Sequence, residues 1–133
     1  METLMNETAV RRNEHQRIID ATMVNVNLPH FINQIKEEEA WKKNDRNAIT
    51  LLKTSFLRIV LIALHKGAIL KKHTVPQMLT VQVLEGKMKF ITDVQTIELI
   101  AGDMIALYEG IAHTVVATEE TVFLLTLTGM HHN

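Results

Sequence analysis

From Asn47 onward the chain reads as an all-β domain, a sandwich or barrel, preceded by one or two helices. Three observations predict this. Nine short, largely apolar segments follow one another, at residues 48–53, 56–65, 69–75, 79–84, 87–92, 96–100, 104–108, 113–117 and 122–128. Glycines and polar residues separate them, as turns separate strands. Two blocks of glycine and histidine, one opening at Gly67 and one at Gly102, sit among these segments.

Size and composition bound the rest. A chain of 133 residues is one domain, long enough to bury a core. It is 47% hydrophobic and 22% charged, the range of a globular protein. Lys and Arg number 14 against 15 Asp and Glu, a formal charge of −1, so there is no electrostatic footprint for nucleic acid. There is no cysteine, which excludes a disulfide framework, a thiolate zinc site and a cysteine nucleophile. The longest apolar run, residues 59–64, is far short of a membrane span, and the polar N-terminus has no apolar signal core. The expectation is a cytoplasmic protein with no membrane partner. Residues 1–45 are read as an N-terminal helical or extended segment packing on the barrel or a partner subunit, 46–129 as the barrel, and 130–133 as a tail.

Taken in order, residues 1–22 are mostly polar, with Ile18 and Ile19 as apolar anchors. Residues 24–27 alternate like a short strand. Pro29 suits the first turn of a helix capped near Asn27 or Leu28. Phe31, Ile32 and Ile35 fall on one face of that helix. Glu37, Glu38 and Glu39 continue it as a solvated face, and Trp41 packs against the barrel. The segment 56–65 is apolar on both faces, whereas a strand with one wet face should alternate. Something must cover its outer face. The N-terminal helix and a second subunit are both expected there, which predicts a homodimer. Residues 84–87 read as a hairpin turn, with Gly86 at the position that needs positive φ, and residues 101–103 as a second such turn.

The two blocks carry a family pattern. In the first, Gly67 is followed after five residues by His73, and Gly86 closes it. In the second, Gly102, Gly110 and His113 keep a fixed spacing. This pattern resembles the two signature motifs of the cupin superfamily. Residues 80–86 and 122–127 are similar to small one-domain cupins of unassigned function, in which a single His followed by Pro, as in His73 to Pro76, is common. The resemblance implies a double-stranded β-helix, the jelly-roll barrel. Four positions depart from the pattern. Val75 stands at the second His, Met78 at the Glu, Tyr108 at the Pro and Ala117 at the Asn.

Strand alternation then maps the interior. With His73 inward, Val75 follows. With Met78 inward, Thr80 and Gln82 follow, leaving Val81 and Val83 outside. His113 and Val115 share an inward face. The expected pocket holds His73, Thr80, Gln82 and His113 among Val75, Met78, Val115 and Met104, with Tyr108 at the mouth. An apolar cavity with a few convergent polar groups is the usual make-up of a small-ligand site. Arg58 would become an anion contact if its face turns inward. His15, His30 and His65 are read as structural or solvated.

The resemblance implies a divalent transition metal such as Zn, Ni, Fe or Mn, with His73 and His113 as the two remaining ligands. Two imidazoles rarely hold a metal without a third donor. Without metal, the pair can still bind a ligand or move protons near neutral pH. Three functions follow as alternatives. One is binding of a small polar or anionic molecule in the barrel through His73 and His113. The second is a metal-dependent enzyme of dioxygenase or isomerase type. The third is a non-catalytic oligomer with a filled barrel.

Overall fold

A computed structural model describes residues 22–128. The readings of residues 1–21 and of the tail at 130–133 lie outside the described residues.

Helix α1 (Leu28–Glu37) begins as its sequence dictates. Asn27 is the N-cap, its Oδ1 accepting from the His30 amide at 3.1 Å, and Pro29 sits in the first turn. Ile35 is fully buried against the sheet. Glu37 ends this helix as an exposed residue, as expected, but Glu38 and Glu39 do not continue it. Glu38 takes an extended conformation, and a second short helix, α2 (Glu39–Lys43), starts after it. The cause is a polar anchor. The Glu38 carboxylate accepts from Gln34 Nε2 and from Asn47 Nδ2, both at 2.9 Å. Asn47 is fully buried and also donates to the Ile35 carbonyl. One side chain thus ties both helices to the first strand.

Residues 24–27 form no strand. Their alternation has another origin. Val26 packs on the apolar cluster beneath the helices, while Asn25 and Asn27 are exposed. Period two here marks an extended chain lying on a surface, with no strand partner among the described residues.

Nine strands follow: β1 (Arg46–Lys53), β2 (Leu57–Leu64), β3 (Ile69–His73), β4 (Leu79–Glu85), β5 (Lys87–Ile91), β6 (Thr96–Ile100), β7 (Met104–Leu107), β8 (His113–Ala117) and β9 (Thr121–Thr128). They form a five-stranded sheet, β1-β2-β9-β4-β7, and a four-stranded sheet, β3-β8-β5-β6. All pairs are antiparallel. The two sheets face each other around one core that includes Val60, Ile62, Val81, Val83, Phe90, Val115, Phe123 and Leu125. They stay separate sheets rather than one closed barrel.

The other face of β1, β2 and β9 carries a second cluster. Ile49, Leu61, Ala63 and Val122 pack with Ile35 and Trp41 of the helices. Burial of a side chain such as Ile35 stabilises by about 1.5–3 kcal/mol. This explains why β2 is apolar on both faces, since core lies on one side and helix on the other.

Gly86 has φ 92°, as a glycine turn requires. It does not close a hairpin, however. It carries the chain from β4 in one sheet to β5 in the other, and Gly102, with φ 98°, carries it back from β6 to β7. The segments look like hairpins in sequence because both connections are short, but their partners lie elsewhere.

Candidate functional site: a histidine pair on the interior face

His73 and His113 are brought together. They are direct cross-strand partners on β3 and β8, and their ring centroids lie 4.4 Å apart, tilted by 57°. Residues opposite each other in an antiparallel pair share one face. A register shift produces this. The β3 to β8 pairing runs Ile69 to Val116 and Leu70 to Val115, then breaks before His73 meets His113. Three steps on β3 match two on β8, so β3 is bulged at Lys71 and Lys72. Leu70 is buried, both lysines are exposed, and His73 turns back in. Without the extra residue, alternation from Leu70 would point His73 to solvent.

The tautomers follow from geometry. His73 Nδ1 lies 2.8 Å from the Lys71 carbonyl oxygen, and His113 Nδ1 lies 2.9 Å from that of Ile111. A carbonyl can only accept, so Nδ1–H donates in both rings. When the rings are neutral, each Nε2 therefore holds a lone pair. His73 Nε2 is buried and has no hydrogen-bond partner among the described residues. His113 is only 2% exposed and stacks on Phe90 with centroids 5.2 Å apart. Burial holds its imidazole below the ordinary histidine range. The nearby His73 ring adds to this, and the Ile111 hydrogen bond opposes it.

The rest of the expected pocket is rearranged. Val115 is buried in the core and Val75 packs against it, as anticipated. Thr80 and Gln82 do not face the histidines. On β4 the core positions are Leu79, Val81 and Val83, while Thr80 is half-buried and Gln82 is exposed on the opposite face. The inward phase of β4 falls on Leu79, one residue beyond Met78, and a one-residue slip moves every side chain to the other face. Met104, opposite Gln82, is outward for the same reason and 62% exposed. Tyr108 is exposed on the turn before Gly110, whose amide donates to the Val75 carbonyl at 3.0 Å.

Two polar residues do turn toward the interior. Thr50 is buried and pairs with the core residue Val60. Arg58 pairs with the core residue Leu127 and shares the face of Val60, Ile62 and Leu64, at the end of β2. Thr50 was readable only from the phase of Ala48 in β1. Arg58 needed the β2–β9 register. The other two described histidines are structural or exposed. His65 stacks on Trp41 with centroids 3.4 Å apart, and its Nε2 lies 2.9 Å from the Trp41 carbonyl, while His30 is exposed against Phe31.

The donor set can be tested against a resident metal. Among the described residues, no three His, Asp or Glu side chains come together in a ligating group. Two imidazole nitrogens, with Leu79 and Val75 as inward neighbours in sequence, do not make the three- or four-ligand shell that a resident zinc or related ion takes from protein. The residues present do not fit that group.

No family model matches the sequence, and no curated protein matches it. Solved structures do. A conserved protein of unknown function from Streptococcus pyogenes is 22% identical, with 86% of this chain and 93% of that one covered and a TM-score of 0.63. A cupin superfamily protein from Desulfitobacterium hafniense is 16% identical, over 65% of this chain and 79% of that one, with a TM-score of 0.62. An RmlC-like cupin from Shewanella frigidimarina is 22% identical, over 66% and 79%, with a TM-score of 0.62. Two facing antiparallel sheets, the glycine crossovers and these likenesses agree, and the chain has the cupin fold.

Proposed function

We propose that this chain binds a small polar molecule between its sheets, and that His73 and His113 accept hydrogen bonds from it. The observation that carries this reading is the buried Nε2 of His73, which has no partner among the described residues, beside a second ring whose Nδ1 is likewise tied to a carbonyl. A buried acceptor left unpaired costs about 1–3 kcal/mol. A ligand that donates to it recovers that cost. With both Nδ1–H groups committed and His113 biased toward neutral, the pair offers lone pairs. It therefore favours a hydroxyl, an amine N–H or a protonated acid over a bare anion. Arg58, on the interior face of β2, supplies a cation for an acidic end of the same ligand. A small hydroxy acid combines the two features.

The test is a thermal-shift and calorimetric screen of hydroxy acids, polyols and simple carboxylates in EDTA. Stabilisation should rise with ligand concentration. The shift should be lost in His73→Leu and His113→Gln, each checked for folding by circular dichroism. In Arg58→Gln it should weaken for acids and persist for polyols. Stabilisation that needs added Zn, Ni, Fe or Mn would replace this reading with the metal-dependent enzyme. A folded His73→Leu that binds as well as the parent would remove the histidine pair from it.

The proposal includes a homodimer. Its support is an exposed apolar group along the edge strand β7 and its approaches, with Ile100 50%, Met104 62% and Tyr108 69% exposed. Sedimentation equilibrium at micromolar concentration checks it, and a single monomeric species would rule it out.

A further inference from the structure

A cleft lies on the seam where the edge strands of the two sheets meet. It has a volume of about 320 Å³ and is lined by Arg46 of β1 and by Ile69, Leu70, Lys71, Lys72 and His73 of β3. Arg46 bridges the sheets there, with Nη2 donating to the Ile69 carbonyl at 3.0 Å. The volume is at the lower end for small-ligand sites, about 300–1,000 Å³.

Its charge is not balanced. Arg46 Nε and Nη2 are engaged by Asp45, at 2.7 and 3.2 Å. Together with the bond to Ile69, these use three of the five guanidinium donors and leave those of Nη1. Lys72 pairs with Asp93 at 2.9 Å, with the two side chains 60% and 76% exposed. Such an exposed pair contributes little to stability, so it opens readily. Lys71 makes no ion pair among the described residues and is exposed beside Lys72. The bulge that turns His73 inward is also what sets two consecutive lysines on the outer side. Three cations therefore stand against two carboxylates around one cleft.

We infer that this seam binds the anionic group, phosphoryl or carboxylate, of a small molecule, with Lys71 and Arg46 as its donors. Lys71 supplies an uncompensated charge, and Arg46 supplies planar donors suited to paired oxygens. His73 borders this cleft, but the proposed donors, Lys71 and Arg46, are not members of the histidine pair.

The experiment is a ¹⁵N-NMR titration of the full chain with inorganic phosphate and, separately, with acetate, at ionic strength held constant with chloride. The expected result is a saturable shift of the amides of Arg46 and residues 69–73 with at least one of the two anions. The anion that saturates identifies the phosphoryl or carboxylate class. Lys71→Met, a change at an exposed side chain, should weaken the affinity at least five-fold with the rest of the spectrum unchanged. Arg46→Gln should weaken it further. Shifts that stay linear with both anions, or a Lys71→Met protein that saturates like the parent, would overturn the assignment.

Discussion

Gly86→Ala is the sharpest probe of how the two sheets are joined. Gly86 has φ 92°, where an L side chain is strained. That conformation costs a residue with a Cβ about 1–2 kcal/mol. Space adds a second cost. A Cβ at Gly86 would collide with the Glu120 carbonyl oxygen and come within 2.7 Å of Thr121 Oγ1 and 2.8 Å of its Cα. Backbone cannot swing aside as a long side chain can, and forced overpacking costs about 1–3 kcal/mol. Thr121 is also not free to yield. Its Oγ1 donates to the Lys87 carbonyl and accepts from the Lys87 amide, at 2.9 and 3.1 Å. The sum is about 2–5 kcal/mol for Gly86→Ala. Gly102 supplies the control, since its φ is 98° but nothing lies within 4 Å of a Cβ there. Gly102→Ala should lose only the conformational part, about 1–2 kcal/mol. Urea unfolding followed by circular dichroism measures both on one scale. If the two variants lose the same stability within about 0.5 kcal/mol, the close approach of Gly86 to the β8–β9 turn is not what constrains it, and the reasoning fails.

Three further outcomes are expected. Asn47→Ala should destabilise by about 1–3 kcal/mol, because the Ile35 carbonyl and the Glu38 carboxylate lose their buried donor; urea unfolding checks this, and a loss below about 0.5 kcal/mol would contradict the anchor. His113, with a folded pKa held below its unfolded value, takes up its proton more readily in the unfolded chain. Its contribution is therefore complete above about pH 6.5 and is lost as pH falls below that value; unfolding free energies at pH 7.5 and 5.5 should show the decline, and a His113→Gln chain with an undiminished slope would assign it to other groups. Gln82→Ala should leave stability within about 0.5 kcal/mol and leave ligand-induced thermal shifts unchanged, since its side chain is on the outer face; a loss of binding would mean that the pocket extends there.

Much of this molecule was legible in its residues. The strands at 96–100 and 113–117 have the expected bounds, and the rest differ at their ends by one or two residues. Alternating apolar residues and glycine turns report on the local chain, and a strand is largely a local object. The pairing of His73 with His113 was legible too, because both lie in spaced blocks with glycine at the turns. The inward phase of β4 was not. Counting from Gly86 placed it on Met78, whereas the β4–β9 register placed Val81 against the core residue Leu125.

The amino-acid order by itself determined the all-β class, the helix start at Asn27, the positive-φ glycine turns and the histidines that make up the pair. Tertiary structure alone decided which sheet each strand joined, that Thr80 and Gln82 face outward, and that a bulge at Lys71 and Lys72 returns His73 to the interior. The physical reason is that strand-forming residues specify a period of two but not its phase. Phase is set by hydrogen bonds to a neighbour far away in the chain, and one extra residue in that ladder exchanges the inside for the outside.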